Sequence, residues 1–149
     1  MPIGGANYET RLEQVVDRGY QTPDSLFFVR SHENTPFVDV ANWRLVVKGD
    51  GIDNPLELTF DDILALPPVK VTRYLECAGN GRSFYASQMN KPAQGGQWHF
   101  GAYGIAEWTG VPLSEILKRA KIRKGAIQVM ATGLDGPKIE RPIPVDKAM

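Results

Sequence analysis

Cysteine is nearly absent from this chain: Cys77 stands alone among 149 residues. A disulfide within the chain is excluded, and so is a zinc or iron–sulfur cluster held by several cysteines. Histidine is scarce, with only two, His32 and His99. An excess of one charge is missing as well. The 17 Lys and Arg balance 17 Asp and Glu, which gives no reason to expect a nucleic-acid or polyanion partner for the whole chain. No apolar run approaches the length of a membrane span. The opening Met1-Pro2-Ile3-Gly4-Gly5 lacks the basic region and apolar stretch of a signal peptide. The expectation is a soluble chain, cytoplasmic or periplasmic. The P-loop, the His-Glu-x-x-His zinc motif, the dinucleotide glycine fingerprint and the nucleophile elbow are all missing. Asp50-Gly51-Ile52-Asp53-Asn54-Pro55 superficially looks like a calcium loop, but its spacing is wrong and it reads as a surface turn.

What is present suits a packed globular domain. Hydrophobic residues make up 42% and charged residues 23%, ordinary proportions for a soluble core and surface. The 15 glycines and 11 prolines are spread throughout, so elements should be short and joined by turns. Residues 8–19 suggest a short acidic helix, with Leu12, Val15 and Val16 on one side. Residues 26–30 suit a short strand or extended segment, and 43–48 alternate as a strand with Trp43, Leu45 and Val47 facing one way. Two units then share a grammar of short helix followed by strand. Thr59 reads as the N-cap of a helix over 60–64, ended by two prolines, with a β-rich run over 69–77 behind it. Pro112 leads a helix over 113–117, followed by a strand over 126–132. The basic cluster Lys118, Arg119, Lys121, Arg123 and Lys124 reads as favourable charge at a helix C-terminus and a solvated face. Residues 139–143 read as a strand, and 144–149 as the first turns of a helix without a C-cap. Together these predict an α+β domain of mixed β-sheets and short helices, the front part of something longer.

The densest group of chemistry-bearing residues is Glu76-Cys77-Ala78-Gly79-Asn80-Gly81-Arg82. A strand delivers Cys77 to a sheet edge, a Gly-Asn-Gly turn bends the backbone sharply, and Arg82 returns a fixed positive charge. A thiolate is a soft metal donor, and a nearby arginine would also favour a reactive thiolate. The alternative is a buried structural cysteine beside a turn. Nothing in the spacing ties His32 or His99 to Cys77 as a catalytic base. A second group, Phe28-Val29-Arg30-Ser31-His32, puts Arg30 and His32 two apart in an extended segment, on one side. Two donors there suit a phosphate or a heterocycle edge, or else they are outward residues of an edge strand. A third runs from Gly95 to Gly104, where glycines flank Trp98 and His99. Trp98 would wall a pocket or belong to the core, and Trp108 reads as core.

Taken in order, these groups resemble the sulfite oxidase family of molybdenum-cofactor oxidoreductases. The likeness is carried by Phe28-x-Arg30-x-His32, by Glu76-Cys77-Ala78-Gly79-Asn80 with Arg82, and by Gly-x-x-Trp98. It continues through Gly101-Ala102-x-Gly104-x-Ala106-x-Trp108-x-Gly110-Val111-x-Leu113, then Gly133-Leu134-Asp135 and Ile143-Pro144. The family also includes the molybdenum domain of plant nitrate reductase and a bacterial sulfane dehydrogenase subunit. The resemblance implies the sulfite oxidase molybdopterin-binding fold over residues 1–149, incomplete at the C-terminus, with a dimerisation domain lying beyond. It implies one molybdenum–molybdopterin cofactor with Cys77 as the protein's metal ligand. Phe28, Arg30, His32 and Asp135 match cofactor contacts, and Arg82 and Trp98 match residues around a small oxyanion substrate. The implied reaction oxidises sulfite or a related sulfur compound to sulfate. Electrons then pass to a c-type cytochrome or another separate acceptor. No nucleic acid and no membrane span are implied, and a homodimer would need the C-terminal domain. The alternative is a molybdopterin-binding fragment or module without turnover. One departure stands out: many sulfite oxidases carry two consecutive arginines after Cys-Ala-Gly-Asn, whereas here Gly81 precedes a single Arg82.

Overall fold

The structure is a computed structural model that describes residues 1–32, 36–134 and 139–149. In chain order its elements are β1 (Pro2–Gly4), β2 (Asn7–Tyr8), β3 (Leu45–Val47), β4 (Leu56–Leu58), α1 (Phe60–Leu64), β5 (Val69–Glu76), α2 (Ser83–Met89), β6 (Tyr103–Gly110), α3 (Leu113–Arg119), β7 (Gln128–Thr132), β8 (Glu140–Pro144) and α4 (Val145–Ala148). The strands pair two by two, β1 with β2, β3 with β4, β5 with β6 and β7 with β8. The expected mixture of small sheets and short helices is what the chain forms. No helix among the described residues is long and apolar enough to cross a membrane.

Contacts divide the chain into two compact units, Met1–Asn34 with Lys70–Trp108, and Thr35–Val69 with Thr109–Met149. In the second unit β3 and β4 form an antiparallel pair, with Leu45 opposite Leu58 and Val47 opposite Leu56. Leu45 and Val47 are half-buried while Val46 is exposed, the alternation expected of a strand with one covered face. Thr59 caps α1 as expected. Its hydroxyl accepts from the Asp62 N–H at 3.1 Å, and the Asp62 carboxylate accepts from the Thr59 N–H at 2.8 Å. The Thr59 hydroxyl also lies 2.7 Å from the Asp62 carboxylate as a donor, and this bond first, with the one from the Thr59 N–H second, holds the Asp62 carboxyl below the usual carboxylate range. Helix α3 buries Ile116 and Leu117. The 50–54 turn serves its C-terminal end, where the Asn54 side chain donates to the Arg119 carbonyl at 2.9 Å and the Asn54 N–H to the Ala120 carbonyl at 3.0 Å. Within the basic cluster Lys118 pairs with Glu115 and Arg123 with Asp53.

The first unit holds the glycine-rich and cysteine-bearing segments. Its start departs from expectation, since the helix read over residues 8–19 is one 3₁₀ turn at Leu12–Gln14. Backbone groups at its front are used elsewhere: the Tyr8 N–H reaches the Val29 carbonyl, and the Thr10 N–H reaches the Gly101 carbonyl. At its back Asp17 and Gly19 adopt positive φ, which ends any helix. The extended segment read over residues 26–30 begins one residue later, because Leu26 closes a 3₁₀ turn at Asp24–Leu26; Phe27 is extended and Val29 is bridged to Tyr8. Two elements were not foreseen, α2 directly after Arg82 and β6, which starts at the end of the loop read over 95–104 and continues through residues given no strand reading. Helix α2 starts without a side-chain cap at Arg82 and stops at Asn90 in the left-handed region. Trp108 is not core: it is 42% exposed, with its ring edge-on to Phe27 and its indole N–H donating to the Arg73 carbonyl at 3.2 Å. Its place near the end of β6 leaves one side of the indole uncovered.

Candidate functional site

Strand β5 delivers Cys77, as the β-rich run suggested, and the chain then turns twice. The Cys77 carbonyl accepts from the Asn80 N–H at 2.8 Å, and the Gly79 carbonyl from the Arg82 N–H at 3.0 Å. Gly81 lies between at φ +80°, a conformation that glycine enters without steric cost. Among the described residues the half-buried thiol has no partner that would serve as a base, and the Gly79 N–H approaches its Sγ at 3.5 Å.

This double turn is laced to residues 98–102. The Cys77 N–H donates to the Ala102 carbonyl at 2.9 Å, the Gly81 N–H to the His99 carbonyl, and the Ser83 N–H to the Trp98 carbonyl at 3.0 Å. Asn80 completes the lacing. Its side-chain oxygen accepts from the Ala102 N–H at 3.1 Å while its amide nitrogen donates to Glu76 at 2.9 Å. Three of the expected site residues therefore meet in one place. Phe28, Trp98 and Ala102 form a buried cluster, the Phe28 and Trp98 rings meeting edge to face at 6.2 Å, and Cys77 packs against it. Trp98, expected at a pocket wall or in the core, is 1% exposed and lies in that cluster.

Arg82 is held by the loop just before residues 98–102, its Nη1 donating to the Gly96 carbonyl at 3.1 Å. Arg30 and His32 stand at the exposed end of the segment that Phe28 anchors, where the Arg30 Nη2 donates to the His32 Nε2 at 2.8 Å. A guanidinium only donates, so this contact needs the imidazole neutral with its proton on Nδ1. Asp135, expected at the cofactor, lies outside the described residues.

One residue of this region carried no sequence signal. The Glu9 side chain is 2% exposed and its two oxygens take different donors of His99, the backbone N–H at 2.9 Å and the ring Nδ1 at 2.9 Å. Glu9 is thus the far anchor of residues 98–102, and its partner is ninety positions away, beyond the reach of any local pattern. Asn80 was legible only as a turn former, not as the side chain that ties the turn to Ala102.

The donor set fits a molybdenum–pterin group. Among the described residues no three His, Cys, Asp or Glu side chains converge on a point. A single soft thiolate suits a metal whose remaining ligands arrive on a cofactor. Residues 32–149 match the family model described as an oxidoreductase molybdopterin binding domain. The chain is 36% identical over 140 residues to a nitrate reductase [NADH] of Ulva prolifera, covering 94% of this chain and 16% of that protein. It is 35% identical over 144 residues to the mitochondrial sulfite oxidase of Rattus norvegicus, covering 91% of this chain and 26% of that protein. Among solved structures, the sulfane dehydrogenase SoxCD of Paracoccus pantotrophus superposes with a TM-score of 0.74 at 30% identity, over 88% of this chain and 33% of the other. The chain therefore spans about a quarter or less of these curated relatives' length. With the expected fold found in SoxCD and the family model matched over most of its length, this chain belongs to the oxidoreductase molybdopterin binding domain family, whose cofactor is molybdenum held by molybdopterin.

Proposed function

We propose that the complete protein oxidises a sulfur oxyanion such as sulfite and hands the electrons to a separate acceptor, a c-type cytochrome or its equivalent. The observation that carries this reading is the pairing of one half-buried thiol with one tethered guanidinium on a single double turn. Cys77 is the ligand that holds the metal, and Phe28, Arg30, His32 and Asp135 are the cofactor contacts. When bound, the molybdenum group supplies two-electron redox chemistry at the substrate sulfur. The chain's own share is placement. The Gly79 N–H approaches Sγ at 3.5 Å and helps to orient it on the turn. Arg82 supplies fixed positive charge for an anionic substrate, and a preset donor needs no reorganisation when charge arrives. Trp98 seals the apolar floor beneath Cys77 and keeps water from that side.

A second substrate reading, a sulfane sulfur, is supported by the single Arg82, which makes the pocket less cationic than one with two consecutive arginines. Expression of the complete protein in a cofactor-competent host tests both. Stoichiometric molybdenum and turnover of sulfite with a separate acceptor are expected. Cys77→Ser should keep pterin, lose turnover and show one fewer sulfur scatterer in X-ray absorption. An unchanged sulfur count removes Cys77 as ligand. Turnover of a sulfane or of nitrate in place of sulfite overturns the substrate assignment. Bound cofactor without any turnover makes the domain a binding module.

A further inference from the structure

Arg82 lies where two glycines leave room for it. A Cβ built on Gly79 would fall 2.9 Å from Nη2 and 3.0 Å from both Cζ and Nη1. Near-equal distances to three atoms of a planar group put the Gly79 backbone against the flat face of the guanidinium. A Cβ on Gly95 would overlap Nη1 and stand 3.1 Å from Cζ. Gly95 has φ +102°, which L side chains rarely adopt, whereas Gly79 has no positive φ. Nη1 is tied to the Gly96 carbonyl, and among the described residues no other acceptor meets the group. The adjacent Nε and Nη2 donors therefore remain as a two-pronged edge, the geometry that grips two oxygens of one oxyanion.

We propose that Gly79 and Gly95 are positioning residues that form a slot for Arg82, so that one arginine presents a fixed two-donor edge to an oxyanion. This rests on the anion role given to Arg82 above. The slot offsets the absence of a second arginine. A long side chain that is held in one orientation loses little freedom when the anion binds, and one preset fork gives directional recognition. The residues that enforce it contribute no donor of their own. They act by lacking a side chain.

Gly79→Ala is the diagnostic variant, because the three atoms nearest its new methyl all belong to the tip of the Arg82 side chain and its φ is not in the left-handed region. The full-length protein without molybdenum would be titrated calorimetrically with inorganic sulfate, as wild type, Gly79→Ala, Arg82→Ala and the double variant. Gly79→Ala should weaken sulfate binding by about tenfold, the scale of one hydrogen bond to a charged group, with an unchanged melting temperature. The double variant should bind no more weakly than Arg82→Ala alone, since the alanine acts through the arginine. In the loaded enzyme the KM for sulfite should rise while kcat moves little. The slot is overturned by wild-type sulfate affinity in Gly79→Ala, by additive losses in the double variant, or by a wild type that binds no sulfate. Loss of the cooperative melt in Gly79→Ala also overturns it, because backbone rather than the Arg82 tip would then occupy the space. A wild type that takes up no molybdenum sinks the proposed function, yet leaves the sulfate titration to judge the slot by itself.

Discussion

Removing Glu9 should loosen Cys77, although the two residues do not touch. Glu9 holds His99 through two hydrogen bonds, and His99 and Trp98 in turn hold Gly81 and Ser83, on the double turn that begins at Cys77. Glu9→Ala deletes both bonds and leaves the His99 N–H without its acceptor. A hydrogen bond to a charged group contributes roughly 1.5–3 kcal/mol net. The backbone bond counts in full. The ring bond is discounted, because the His99 side chain is 55% exposed and solvent screens it. The variant also removes the cost of burying a carboxylate, which offsets part of the loss. About 2–3 kcal/mol remains for opening this region, roughly a 30- to 150-fold rise in its open population. Because Cys77 is the single cysteine, a thiol reagent reports on this turn and nothing else in the chain. In molybdenum-free protein, with closing faster than labelling, the labelling rate should rise by about that factor. Glu9→Gln should cost less, since its oxygen still accepts from the His99 N–H and its amide nitrogen can donate to an unprotonated Nδ1. A Glu9→Ala protein labelled within about twofold of wild type would break the chain of bonds on which this reasoning depends.

Thr59→Ala should destabilise α1 by about 1 kcal/mol, read as faster hydrogen exchange at the Asp62 amide that the Thr59 hydroxyl now shields. The same cap gives a pH dependence. The Asp62 carboxyl is held low by its bonds from Thr59, so its contribution is present above the ordinary carboxylate pKa and is lost as pH falls through the lowered folded value. Asp62→Asn should flatten that acid limb in a pH series of α1 exchange rates, and an unaltered limb would assign it to another carboxylate. Trp98→Ala should destabilise the first unit by about 3–5 kcal/mol through an unfilled cavity, whereas Trp98→Phe should cost less. Thermal melts decide it, and equal losses would mean that the ring's volume is not what holds the cluster together.

The two halves of the site differed in how much they disclosed. Short-range features were legible: the Thr59 cap, the alternation at Leu45 and Val47, the strand leading to Cys77 and the turn behind it all follow from residues within a few positions of one another. The pairing of Arg30 with His32 followed from the same two-residue period. What sequence left dark was long-range. Glu9 looks like any acid of the short acidic helix read over residues 8–19, and only the fold brings it to His99. Trp108 read as core on its aromatic character, but burial depends on what lies over the ring, and no local pattern carries that. Helix α2 was hidden because Arg82, in the N-cap position, offers no capping oxygen, and seven residues are too few for a helical period to stand out.

The glycines of this region illustrate the same division in chemical form. As punctuation they announced turns and a tight loop, and Gly81 is used that way. Gly79 and Gly95 have a further task that local pattern does not express, since it is defined by the side chain of Arg82 arriving from another position. A site built so has a stiffness set by backbone hydrogen bonds rather than by interlocking side chains. Ala102 both accepts from the Cys77 N–H and donates to the Asn80 side chain, so Cys77 cannot shift along its strand without breaking both. Side-chain variation at the exposed Ala78 leaves this backbone lacing in place, whereas a change of backbone register would not. The backbone on both sides of the turn, at Cys77 and at Gly81 and Ser83, is tied to residues 98–102, and the Arg82 guanidinium to the Gly96 carbonyl just before them. In the function proposed above, such a frame would hold the spacing between Cys77 and Arg82 whatever the charge of the substrate.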